Sequence, residues 1–515
     1  MGKYYWWWTD FQKKLADEAE SFVDEWYPAG EKARWKREVP WDMVREMKKR
    51  GWFGVLVPEK YGGIGEKAKV TGACILGEEI SRLGANAAAP FAATMFGGCY
   101  QLVTHGSEEQ KEKWLPKIVN EPEYLGAITL TEPFVGSDAA GVETTAVREG
   151  DHYVLNGVKR FISNSGIADI YFAYARTSND PGDIKSRQHI TAFVIEKGMS
   201  GFTVEKVNEL AAYDGVRNGY LRFDNVEIPA ENVVGEEGGG WMVMAYGLNF
   251  ERLLVAACCV GGIKEGLRYS YYYANRRVQF KQPTFFFESN QYRIADMLIG
   301  YKTSRLLVYH TAYLLDQGEQ PIVEANGAKI FVTEWGEKVS LDAILTMGGD
   351  SLTKFYPIES GIRDSQVNKI GAGTNDVTRL LIARLAPRFM GDELKMPRRR
   401  MDEELGIPVT VYLPGQLKPE LKSESLEDRI LELLAEDYRV NPGLYMTKQE
   451  IEEDLEEEEI DEALMDLEEK GLVYLYRGKK GDIRLVKATY EGQKKAKPLE
   501  YYRWYPEWVK KDEIF

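Results

Sequence analysis

From Asp10 to about Val119, apolar residues return at every third or fourth position, as in Trp41, Val44 and Met47 and again in Ile80 and Leu83. That is the period of helices with one buried face. Between about Tyr124 and Val234 the texture changes to short β-prone runs broken by Gly, Asn and Asp, among them His152-Tyr-Val-Leu, Ile170-Tyr-Phe-Ala-Tyr-Ala and Ile190-Thr-Ala-Phe-Val-Ile. Gly238-Gly-Gly-Trp reopens a helical pattern that persists to about Met390. The order of helices, strands and helices predicts an α+β chain with a β domain packed between two helical ones, over 1–123, 124–235 and 236–395.

Residues 396–424 hold Pro397, Pro408, Pro414 and Pro419 with little periodicity and read as a linker. Beyond it, Leu426-Glu-Asp-Arg-Ile-Leu-Glu-Leu-Leu is an amphipathic helix, Thr447-Lys-Gln-Glu has the form of a capping box opening a second, and a third runs from about Ile460 to Lys470. Two β-like runs, Leu472-Val-Tyr-Leu-Tyr and Asp482-Ile-Arg-Leu-Val, flank the turn Gly478-Lys-Lys-Gly. Three helices and a hairpin predict a winged-helix-like module over 425–492, with 493–515 as a tail. Glu450 to Glu469 packs thirteen acidic residues with no Lys or Arg. In a DNA-binding winged helix the third helix enters the major groove, and phosphate repels a helix of this charge. The run reads as a solvated face or as a docking surface for a protein partner.

Composition narrows the class. A chain of 515 residues exceeds a single core. Its net charge of −15 argues against nucleic acid as a main partner, because phosphate binders need clustered cations. Cys74, Cys99, Cys258 and Cys259 stand in no metal-ligand spacing, so no metal is expected and the thiols read as buried in a reducing compartment. The start, Met1-Gly-Lys-Tyr-Tyr-Trp-Trp-Trp, lacks the design of a secretory signal, and Trp6 replaces the hydroxyl of a myristoylation signal. The longest apolar run, Leu253 to Ile263, is about half of a bilayer span, so a cytoplasmic protein without a membrane partner is expected.

Four stretches hold candidate chemistry. Leu130-Thr-Glu-Pro-Phe-Val-Gly-Ser-Asp-Ala-Ala-Gly precedes Asn156-Gly-Val-Lys-Arg-Phe-Ile-Ser-Asn. Glu251 opens an otherwise apolar helix in Asn249-Phe-Glu-Arg-Leu-Leu. Arg276-Arg-Val-Gln-Phe follows, then Gly348-Gly-Asp and Lys369-Ile-Gly-Ala-Gly-Thr-Asn-Asp. Singly they are weak: the first pair also reads as turns between strands, and a lone Glu as an ion-paired surface residue.

In this order, with Gly106-Ser-Glu-Glu-Gln-Lys-Glu-Lys-Trp-Leu-Pro ahead of them and Ala295-Asp-Met among them, they make residues 10–390 resemble the acyl-CoA dehydrogenase family. The resemblance implies a helical domain, a β domain and a four-helix bundle, a homotetramer, and FAD held across a subunit boundary. It implies that Thr131 and Ser163 donate hydroxyls near the flavin ring beside Leu130 and Phe161, and that Ser137 approaches phosphates. Arg277 and Phe280 look like the pair that reaches the neighbouring subunit's FAD, with Gly348, Gly349, Thr374 and Asp376 in adjoining loops. Ser137, Arg252, Gly371 and Gly373 are the positions expected beside acyl-CoA.

Most of the family carries its base as a Glu in a Tyr-Glu-Gly-Thr segment, where this chain has Gly371-Ala-Gly-Thr. A few relatives, isovaleryl-type and long-chain enzymes among them, place the Glu on the preceding bundle helix, and Glu251-Arg252-Leu253 resembles that arrangement. It implies that Glu251 takes the α-proton of an acyl-CoA, that the backbone N–H of Ala372 and a ribityl hydroxyl of FAD polarise the thioester carbonyl, and that the β-hydride goes to flavin N5. Electrons would pass to an electron-transfer flavoprotein. Ala87-Ala-Ala-Pro-Phe-Ala-Ala, expected near the acyl pocket, offers no cation for an ω-carboxylate, which disfavours a dicarboxylyl substrate, and its small residues suggest room for a short branched or cyclic acyl group. An oxidase, an enoyl-CoA reductase or a non-catalytic flavin scaffold binding nucleic acid or protein are the alternatives. Gly348-Gly-Asp-Ser-Leu, Leu345, Lys281 and the extra Pro283-Thr-Phe-Phe-Phe depart from the family and weaken the expected contacts to the adenosine half of FAD.

Overall fold

The computed structural model describes residues 3–389, 421–440 and 444–497. The predicted linker up to residue 420 and the tail beyond 497 lie outside the described residues. Two compact units divide the chain at Leu385.

The first unit opens with helices α1 (Asp10–Lys36), α2 (Trp41–Lys49), α3 (Gly65–Ile80), α4 (Ala85–Thr94), α5 (Tyr100–His105) and α6 (Glu108–Asn120). Thr9 with Gln12 and Ser107 with Gln110 make reciprocal capping boxes that start α1 and α6. Strands follow: β1 (Gly126–Thr129), β2 (Thr145–Glu149), β3 (His152–Ser163) and β4 (Ile170–Arg176). A short helix α7 (Pro181–Ser186) leads to β5 (Ile190–Glu196), β6 (Phe202–Val207), β7 (Asn218–Pro229) and β8 (Val233–Val234). They form one sheet in the order β6-β7-β3-β2-β4-β5-β8, with β1 pairing parallel to β4.

β4 and β5 lack the polar alternation of a one-sided sheet because both faces are covered. Ile170, Phe172 and Tyr174 join the large core shared with the helices, whereas Tyr171, Ala173 and Ala175 fill the core of the β domain. The period of two therefore decides that Tyr174 faces the helical side.

The second helical region holds α8 (Gly240–Arg276), a two-residue hairpin β9 (Val278–Gln279) and β10 (Gln282–Pro283), α9 (Glu288–Asp316), α10 (Ile322–Met347), α11 (Ile358–Ile370) and α12 (Asn375–Phe389). α8, α9 and α10 pack mutually and α11 adds to α10, giving the bundle. α8 is long and apolar enough to cross a membrane by composition, but 61% of its most apolar window is buried inside the bundle. The four cysteines are free thiols.

The second unit has its own core of Ile430, Leu434, Ile451, Leu464, Val473 and Val486. Its elements are α13 (Leu426–Val440), β11 (Met446–Thr447), α14 (Lys448–Leu455), α15 (Asp461–Glu469), β12 (Val473–Arg477), β13 (Ile483–Ala488) and α16 (Tyr490–Ala496). Thr447 and Glu450 cap α14 reciprocally. The sheet order β11-β13-β12 adds one strand to the predicted hairpin. α16 runs past the boundary drawn at 492: Thr489 caps it and Gly492 seats against Leu472 and Leu431 of this core, so the module continues to Ala496.

Candidate active site

Glu251 lies on α8 and is 9% exposed, not the ion-paired surface residue that an isolated Glu suggests. Its helix turn is pressed against the N-terminal domain. Phe250 stacks on Tyr100 with ring centroids 4.4 Å apart, and Gly247, one turn earlier on the same face, leaves room for the Gln101 amide, whose nitrogen would be 2.6 Å from any Cβ there. Among the described residues no hydrogen bond or ion pair reaches the Glu251 carboxylate. Burial pushes its carboxyl up to about 7, against the opposing charges of Arg252 and Lys329. From β4, the Tyr174 hydroxyl is buried near the Gln101 amide, without a well-formed hydrogen bond among the described residues. Burial first, and then the Glu251 charge, pushes that phenol far up.

The Gly371-Ala-Gly-Thr loop connects α11 to α12 and is held by two cations. Arg252 Nε donates to the Ala372 carbonyl at 3.0 Å. Lys329 Nζ, from α10, donates to the carbonyls of Lys369 and Gly373 at 2.9 Å each and to Asn375 Oδ1 at 2.8 Å. With carbonyls so engaged, the Ala372 N–H has no acceptor among the described residues. Ala372 has φ +56° and Gly373 φ +84°, so the turn is left-handed at both. Thr374 caps α12, its hydroxyl accepting from Val377 N at 3.2 Å. The fold thus joins Glu251, Arg252, Gly371, Ala372, Gly373 and Thr374 into one site across two helices and a loop, 120 residues apart in the chain at its Arg252–Ala372 bond.

A second constellation surrounds Leu130 and Thr131. Arg160 N donates to the Thr131 carbonyl at 2.8 Å, which fixes the loop against β3. Lys159 Nζ donates to Leu130 O at 3.1 Å, Tyr174 O at 2.6 Å and Glu132 Oε1 at 2.7 Å. Both members of that ion pair are at most 1% exposed, and Glu132 also accepts from the backbone N–H of Glu143 and Thr144. The buried pair therefore ties the loop to β3 and β4. Its partners Phe161 and Ser163 end β3. The ladder shifts register between Lys159 and Ile162, and Phe161, at φ +57°, keeps its ring 49% exposed with the Arg160 guanidinium 4.1 Å from its centroid. Ser137 is exposed.

The hydroxyls of Thr131, Ser163 and Ser137 and the outward ring of Phe161 are the kinds of group that FAD needs, whose ring takes polar groups and an apolar wall and whose diphosphate takes donors. Non-glycine residues at positive φ cost conformational energy and gather at functional sites. Three of the eleven among the described residues are predicted site residues: Phe161, Phe280 (φ +49°) and Ala372.

Arg277, Phe280, Gly348, Gly349 and Asp376 stand apart. Arg277 follows α8, Phe280 tips the hairpin at 89% exposure, Gly348 and Gly349 close α10, and Asp376 is exposed with Arg379 at 3.8 Å. No hydrogen bond, ion pair or ring contact joins them to Leu130, Thr131, Phe161 or Ser163 within the chain. The resemblance expects them to serve a neighbouring copy.

Sequence reading missed Glu132, Lys159, Tyr174 and Lys329. Lys329 had a signal: it falls on the spacing of the buried Ala325, Ala328 and Val332 in an apolar helix, where a cation needs acceptors. Tyr174 had none, because any aromatic fits a doubly covered strand.

The family models described as the N-terminal, middle and C-terminal domains of acyl-CoA dehydrogenase match residues 9–122, 127–226 and 238–386. An acyl-CoA dehydrogenase of Bacillus subtilis (strain 168) is 38% identical over 357 residues, 69% of this chain and 92% of that protein. Mitochondrial isovaleryl-CoA dehydrogenase of Pongo abelii is 33% identical over 380 residues, 73% of this chain and 88% of that one. The structure of butyryl-CoA dehydrogenase from Megasphaera elsdenii superposes with a TM-score of 0.70 at 32% identity, over 75% of this chain and 99% of the other.

Proposed function

Because this chain belongs to the acyl-CoA dehydrogenase family of FAD-dependent oxidoreductases, we propose that it removes the α-proton of a short branched or cyclic acyl-CoA with Glu251 as the base. The observation that carries the reading is the junction at Arg252. A buried, unbonded carboxyl raised to about 7 sits one residue from the side chain that holds the Ala372 carbonyl.

A thioester α-proton is too weakly acidic for a carboxylate in water. Two features of this site address that. Burial makes Glu251 a stronger base than an exposed Glu, yet Arg252 and Lys329 keep it ionised through a useful part of the neutral range. The unengaged N–H of Ala372, on a loop fixed by two cations, is available to the carbonyl oxygen as negative charge develops there, and a backbone donor needs no carboxylate side chain at that position. FAD, when bound, supplies the acceptor for the hydride that leaves Cβ. Thr131, Ser163 and Phe161 would hold its ring, and Ser137 its phosphates. The Glu132–Lys159 pair keeps that loop in register without exposing charge to the cofactor.

Support for a branched or cyclic group over a dicarboxylyl one comes from α4, where the small Ala87, Ala88, Ala92 and Ala93 are buried and supply no cation for a second carboxylate. The Glu251 position, shared in kind with isovaleryl-type and long-chain enzymes, is compatible with a branched chain and leaves the choice to the pocket. An electron-transfer flavoprotein as acceptor, a homotetramer and a cytoplasmic location complete the proposal.

The test is anaerobic bleaching of the purified flavoprotein by a panel of branched, straight and cyclic acyl-CoAs. Rapid bleaching by a branched or cyclic member supports both reaction and substrate class. Preference for long straight chains sinks the substrate class, and no bleaching by any sinks the reaction.

A further inference from the structure

Lys329 is a completely buried cation without a counter-ion: its three N–H groups meet neutral acceptors at 2.8–2.9 Å, and among the described residues no carboxylate pairs with it. Such burial is costly, and a Met of similar volume would fill the space between α10 and the loop at less expense if filling were all that was needed. All three acceptors lie between Lys369 and Asn375, the segment that carries Ala372. We infer that Lys329 is a positioning residue for the proposed reaction, fixing the Gly371–Thr374 loop with one set of bonds and placing a second positive charge, beside that of Arg252, on the Glu251 side of the site.

The charges make the two halves of this role interdependent. Facing Glu251 are Arg252 on its own helix, Lys329 from α10 and the phenol of Tyr174 from β4. Facing Lys329 are Arg252, Glu251, Cys259 and Glu334. Burial, and next the Arg252 charge, push the ammonium down to about 8, while Glu251 pulls it back up. Ionised Glu251 and charged Lys329 therefore support each other, and the cation favours the proton-accepting form of the base. Loss of the cation leaves the carboxylate less stable, so Glu251 would ionise at higher pH.

The inference rests on the proposed reaction, and its test separates the two. Lys329→Met and Lys329→Gln are compared with the wild-type holoenzyme by flavin content, melting temperature and the rate of anaerobic bleaching between pH 5.5 and 9. In both variants the acidic limb of the rate profile is expected to move up by on the order of half a pH unit or more. Gln, which still donates hydrogen bonds to the loop, recovers more of the high-pH plateau than Met. Limbs that stay at the wild-type position, with only the plateau changed, overturn the inference and leave Lys329 as scaffolding. If the Met variant loses its flavin, the Gln variant decides by the same limb. A wild-type enzyme that no acyl-CoA bleaches sinks the reaction, and this inference with it.

Discussion

Replacing Glu251 by Gln separates chemistry from stability, because the structure predicts that the two move in opposite directions. The carboxyl's rise from its ordinary 4.5 to about 7 is set mainly by burial. A group whose folded-state value lies above its unfolded one stabilises the fold while it holds its proton. That contribution is fully present below pH 4.5 and lost as pH rises through about 7. At ~1.36 kcal/mol per unit, the ionised carboxylate costs the fold about 3 kcal/mol at pH 8 and under about 1 kcal/mol at pH 5.

Gln has nearly the same shape and no charge. Glu251→Gln is therefore expected to keep FAD and to melt a few degrees higher at pH 8, with the gain shrinking at pH 5. Bleaching by acyl-CoA should fall by about 10²- to 10⁴-fold or more, since the base is gone. Thermal melting of the holoprotein at the two pH values and stopped-flow flavin reduction measure both arms. Near-normal bleaching removes Glu251 from the chemistry. An unchanged melting temperature at pH 8 refutes the claim that its charge is held against desolvation.

Other consequences follow from the same geometry. In the wild-type enzyme the bleaching rate should rise with pH through about 7, because Glu251 must be ionised to accept a proton; a flat profile from pH 5.5 to 8 excludes a carboxyl of this kind as the base. Gly373→Ala puts a Cβ 3.3 Å from the Arg252 guanidinium at φ +84° and should cost about 1–2 kcal/mol in the loop. Its signature is a higher KM and slower bleaching with flavin content unchanged. Glu132→Leu strands the Lys159 ammonium at full burial, at a cost of about 3–5 kcal/mol in urea denaturation of the holoprotein. Adding Lys159→Met should recover most of that loss and the bound FAD, and a double variant as damaged as the single one would show that the charge is not the cause.

The chain's own pattern determined which segments are helical and which are strands. Helical periodicity and sheet alternation are local signals, and the caps at Thr9, Ser107 and Thr447 mark their starts with side chains three residues apart. The order of short motifs carried the family, and the missing Glu in Gly371-Ala-Gly-Thr turned attention to Glu251. The sequence left open whether Glu251 was a surface ion pair, because burial of a helix face is a property of what packs on it. Only the tertiary structure decided that, by pressing α8 against Tyr100 and Gln101. Tyr174 was invisible for the same reason, since it lies in a doubly covered strand; Lys329 carried a signal in its buried place on an apolar helix, but its acceptors lie 40 or more residues away and only the fold supplies them. Arg277 and Phe280 mark the remaining division. The resemblance names them, but the single chain leaves them exposed and apart from Thr131, and the packing of one copy gives them no cofactor to meet.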